Sequence, residues 1–71
     1  MMEYQHRQLL LNHREATQKR QNLTERAIYA LVAMRETYST DRDCTSLLKA
    51  WVTEDEQLRV EIHNYDEFLA L

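Results

Sequence analysis

The chain contains neither glycine nor proline in 71 residues. Hairpin turns and sheet loops lean on one or the other, so the absence argues against all-β and α/β folds. It also removes any Gly-rich phosphate-cradling loop. A single cysteine, Cys44, rules out an internal disulfide, and no ligand cluster suggests a structural zinc. No apolar run reaches the roughly 18–20 residues that cross a bilayer. The N-terminus lacks the apolar core and cleavage site of a signal peptide. These absences predict a soluble, cytoplasmic protein with no membrane contact. The formal charge of −3 is mild and argues weakly against non-specific binding to DNA.

What is present favours helix: Glu, Gln, Arg, Leu and Ala recur throughout. The richest stretch is Leu23 to Tyr38, LTERAIYALVAMRETY. Leu23, Ala27, Ala30, Leu31, Met34 and Tyr38 draw one apolar stripe at helical spacing. Ile28, Tyr29 and Val32 form a second apolar set pointing away from it, at about 100° per residue. Upstream, Met2, Leu9, Ala16, Leu23, Ala30 and Thr37 are spaced by seven. His6, His13, Arg20, Ala27 and Met34 follow four residues behind, a coiled-coil seam that is good from Leu23 onward. Residues 12–22 are polar almost throughout, and Asn22 with Glu25 could cap a new helix start.

Residues 39–43, Ser-Thr-Asp-Arg-Asp, read as the turn. Beyond it, Cys44, Trp51, Leu58 and Tyr65 are spaced by seven, as are Leu48, Asp55, Ile62 and Leu69. Thr53-Glu54-Asp55-Glu56 has the form of a capping box, which sets a break at Thr53 against one continuous helix. The expectation is an all-α antiparallel helical hairpin, one small domain over residues 1–71. Its long helices span about 3–38 and 42–70. Folding about Ser39 and Thr40 pairs residues whose numbers sum to about 79. Leu31 then lies near Leu48, and Ala27 and Ala30 lie near Trp51 and Val52. Residues 1–38 net +2 and residues 39–71 net −5, so the two helices attract modestly.

A chain this short buries only about 60% of its unfolded surface, so its own core is marginal. With no disulfide or metal, pairing into a helical bundle is the favoured remedy, as in other two-helix hairpins that dimerise. Apolar side chains beyond the seam are the candidate partner contacts: Ile28, Tyr29 and Val32 near the turn, Phe68 on the second helix, and the overhanging Met2 and Tyr4.

Other chemistry is weakly signalled. Glu3 and His6 have the Glu-x-x-His spacing of carboxylate-bridged di-metal bundles. Such a site needs two copies and two further glutamates, so no metal and no cofactor is expected. Cys44 reads as a small apolar group near the turn. His63 pairs ordinarily with a carboxylate at i+4. Two thin helices offer no catalytic pocket and no small-molecule site, so an enzyme is not expected. The functional expectation is a non-catalytic helical interaction module. It would be an adaptor, regulator or secretion-type chaperone, acting through self-association as a homodimer or through a protein partner. The alternative is a nucleic-acid-binding regulator using His13, Arg14, Lys19, Arg20 and Arg26 of the first helix.

Overall fold

The computed structural model describes residues 3–38 and 42–71, with side chains over 3–36 and 44–71. It is an antiparallel helical hairpin. Helix α1 is Tyr4–Tyr38 and helix α2 is Arg42–Leu69, 35 and 28 residues long. They lie side by side in a rod of 54 × 14 × 14 Å. The expected turn at Ser39 and Thr40, and the side chains of Met2 and Tyr38, lie outside the described residues.

Neither helix breaks where a cap was conceivable, and the side chains show why. Asn22 accepts from Gln18 at 3.2 Å, a bond one turn back along the helix. Thr53 donates its hydroxyl to the Lys49 carbonyl at 3.0 Å, the backward bond of a mid-helix threonine. The polar stretch of α1 is held by the same local bonding. Gln8 donates to Asn12 at 3.2 Å, Thr17 to the His13 carbonyl at 2.8 Å, and Lys19 pairs with Glu15 at 3.6 Å. The side-chain pairs, Gln8 with Asn12 and Lys19 with Glu15, each contribute about 0.2–0.5 kcal/mol, while Thr17 only satisfies its own hydroxyl. The C-terminal end of α2 has no basic residue of its own in the last turn. Arg7 of α1 supplies one, donating to the Leu69 carbonyl at 2.9 Å.

On α2 the two heptad lines behave as the sequence predicts. Cys44, Leu48, Trp51, Asp55, Leu58, Ile62, Tyr65 and Leu69 are all buried or half-buried. Helix α1 differs. Leu9, Ala16, Leu23, Ala30 and Met34, expected in the seam, are exposed. Of the expected stripe Ala27 and Leu31 are half-buried, and the rest of the seam is Leu10, Arg14, Thr17, Gln21, Thr24 and Ile28. Two of these, Gln21 and Thr24, are 4% and 2% exposed, more enclosed than any apolar residue described except Leu58 at 3%. They can be buried because their polar atoms are satisfied on the spot. Thr24 donates to the Arg20 carbonyl at 2.8 Å. Gln21 donates to Asp55 at 2.8 Å and accepts from Gln18 at 3.1 Å. Asp55 in turn accepts from Arg59 at 2.8 Å. No buried side-chain nitrogen or oxygen among the described residues lacks a partner.

The register is also offset from the expected one. Gln21 meets Asp55, Arg20 meets Glu54, and the Cys44 thiol reaches the Leu31 carbonyl at 3.8 Å. These pairs sum to about 75, roughly one helical turn from 79. Thr24, rather than Ala27 and Ala30, therefore shares the groove beside the Trp51 indole.

Candidate interaction surface

The two flanks of the hairpin differ in chemistry. On the first flank, Leu23, Leu47, Ala50 and part of Trp51 line one open groove, with the Arg20–Glu54 ion pair at its edge at 3.0 Å. Towards the open end of the rod, Leu10, Tyr65 and Phe68 line a second groove beside Glu61. Leu47, Glu54, Glu61 and Phe68 are spaced by seven, so both grooves lie along one line of α2. On α1 the same flank carries the exposed line Leu9, Ala16, Leu23 and Ala30. The large side chains here are half exposed or more: Leu23 is 63% exposed, Phe68 57% and Leu47 50%. An exposed leucine means little alone, but here two apolar patches, Leu23 with Leu47 and Leu10 with Phe68, share one flank and are separated by Glu54 and Glu61.

The second flank is polar. Gln18, Gln21, Arg59, Ile62, His63 and Asp66 line its groove. Arg14 makes a two-pronged contact with Asp66, and His63 pairs with Glu67 at 2.9 Å. The hydrogen bond from Arg14, and its charge, hold the Asp66 carboxyl below its ordinary range, with a smaller pull from His63. Arg59, through its hydrogen bond first, does the same for Asp55, with Gln21 assisting against the cost of burial. Both arginines are raised by their carboxylate partners in return.

These shifts have a definite sign. A carboxyl whose folded pKa lies below its unfolded one stabilises the fold above the unfolded value. That stabilisation disappears as pH falls through the folded value. The melting temperature is therefore expected to fall below about pH 4, and an Asp55→Asn, Asp66→Asn double variant should lose less across that range. Circular dichroism melts between about pH 6 and 2.5 check this; a flat profile for the parent chain would refute it.

The predicted site residues are distributed over several faces. Ile28 is half-buried in the seam, so the hairpin itself covers much of it. Tyr29 and Val32 are exposed, at 68% and 37%, on the side of the polar flank. Phe68 lies on the apolar flank, and Tyr4 is exposed at the open end. Met2 is outside the described residues. The line Leu9, Ala16, Leu23 and Ala30, read from the sequence as core, emerges as outer surface. Its heptad spacing was the available signal, and only its assigned direction was at fault.

The basic residues do not gather. Arg14 is tied to Asp66 on one flank and Arg20 to Glu54 on the other. Lys19 pairs with Glu15, while His13 and Arg26 are exposed. Glu3 and His6 stand 3.9 Å apart and largely exposed. Among the described residues no group of three or more His, Cys, Asp or Glu side chains is placed to hold a metal ion. No helix among them is long and apolar enough to cross a membrane.

Comparison with known proteins finds no matching family model, no matching curated protein and no matching solved structure.

Proposed function

We propose that this chain is a non-catalytic helical interaction module, a small adaptor, regulator or chaperone that works by packing its Leu23–Leu47–Phe68 flank against another helical surface. One observation carries the reading. The chain encloses Gln21 and Thr24 between its helices while leaving Leu9, Leu23, Leu47 and Phe68 in water. Burying an apolar side chain such as Leu or Phe contributes about 1.5–3 kcal/mol. A chain of this size that withholds several of them from its own seam has them to offer to a partner.

The basic stretch of α1 supports the nucleic-acid alternative less well. Phosphate contact needs free cations on one face. Here Arg14 and Arg20 already serve carboxylates on opposite flanks.

The test is site-specific photocrosslinking in the producing cell, with a benzoyl-phenylalanine placed at Leu23 or, as control, at Lys49, which is exposed. Adducts to protein are expected from position 23 and not from position 49. The reading fails if position 23 gives none, or if the two positions give the same pattern.

A further inference from the structure

The unpartnered flank has a size, a charge pattern and a set of levels along the rod, and together these identify an occupant. A compact folded monomer of 8.6 kDa exposes about 4700 Å². This hairpin exposes 5849 Å². The excess, roughly 1100 Å² per chain, is surface that a rod 14 Å thick leaves in water because it has no second layer, and pairing side by side covers it.

The charges on the flank complement one another between the helices. On this flank Arg20 of α1 and Glu54 of α2 form an ion pair at 3.0 Å. A second copy brings a second such pair, and the two pairs attract when each Arg20 also faces the other copy's Glu54, which requires each α1 to lie against the other copy's α2. Two symmetric arrangements bring the flanks together. A two-fold axis across the rods would lay α1 on α1 and α2 on α2, placing Arg20 near a second Arg20 and Glu54 near a second Glu54. An axis parallel to the rods lays α1 on α2 and preserves every level.

The levels then match. A residue of α1 stands opposite the α2 residues it already meets at home, those whose numbers sum with its own to about 75. Leu9 comes to the level of Phe68 of the second copy, and Leu23 to that of Ala50. Arg20 comes to the level of Glu54. At these three levels apolar meets apolar and cation meets anion, the isologous self-complementarity a two-fold interface requires.

We propose that the partner is a second copy of this chain, seated on the Leu23–Leu47–Phe68 flank about a two-fold axis parallel to the helices, with both turns at the same end of a four-helix bundle. The proposal rests on the reading of this flank as an interface and names what occupies it.

Two measurements on the full chain test it. Light scattering after size exclusion at tens of micromolar gives the mass. Electron-spin distances give the arrangement, with Cys44→Ser removing the native thiol and a label carried at Glu36→Cys, near the turn and exposed. A dimer is expected, with labels roughly 20–30 Å apart, two or three helix diameters. A dimer with labels about 50 Å apart, close to the 54 Å rod length, would overturn the same-end arrangement. A monomer whose position 23 crosslinks to a different protein would overturn the second copy while leaving the interaction module intact. A monomer with no adduct at position 23 would end both. Leu23→Asp is the further control: a variant that stays dimeric at the parent's concentration overturns this flank as the contact.

Discussion

Leu58→Ala is expected to unfold the hairpin or bring it to the edge of unfolding. Leu58 is the one apolar side chain among the described residues that is buried, at 3% exposure. Truncating a buried leucine costs about 2–5 kcal/mol, the lost transfer energy plus the cavity left behind. A chain of this length has a total stability of roughly 4–10 kcal/mol, so the substitution removes a large part of the whole. Urea denaturation followed by circular dichroism reads the loss directly. A change under about 1 kcal/mol, the size of an ordinary point substitution, would mean that Leu58 is not the centre of the seam.

Leu23→Asp is expected to act as strongly, at a position that a solitary hairpin leaves 63% exposed. The two situations differ by magnitude. At an open surface site the change stays within about 0.5 kcal/mol. In the proposed bundle the new carboxylate enters an apolar interface without a partner, and burying an unpaired polar group costs several kcal/mol. The variant should therefore lose the dimer, and with it the dependence of melting temperature on protein concentration that association imposes. Melts of parent and variant over a hundredfold range of concentration check this. A variant that melts like the parent at every concentration refutes it.

The all-α class and the hairpin were legible because they follow from absences and from spacing. With no glycine or proline, the letters oppose helix only at the Ser, Thr and Asp cluster of 39–43. Helix α2 was legible in detail because its two heptad lines are apolar almost without exception and leave only one face to bury. Helix α1 was not, for a reason visible in Ile28 and Leu23. It is apolar on two sides, and periodicity states the spacing of each side without saying which one turns inward. A rule that turns polar residues to water would not settle it either, since Gln21 and Thr24 defeat it. A threonine that donates to the carbonyl four residues back, and a glutamine that bridges to Asp55, carry no unsatisfied group into the seam. The surface on which the proposed site rests was accordingly visible as a heptad line, Leu9 to Ala30, but read as facing the other way. Asn22 and Thr53 illustrate the same limit at smaller scale. Either could cap a helix, and the direction of one side-chain hydrogen bond decides it.

The bond between Gln21 and Asp55 governs how the rods can slide. Displace one helix by a turn and Gln21 faces Trp51 or Leu58, with nothing to receive its amide, while Asp55 faces Thr17 or Thr24, whose hydroxyls already serve backbone carbonyls. Every neighbouring alignment is thereby penalised, even though the native one is held by little grease. A thin hairpin that would otherwise drift along its length is kept to a single setting, and whatever docks on its flank meets the same row of side chains each time.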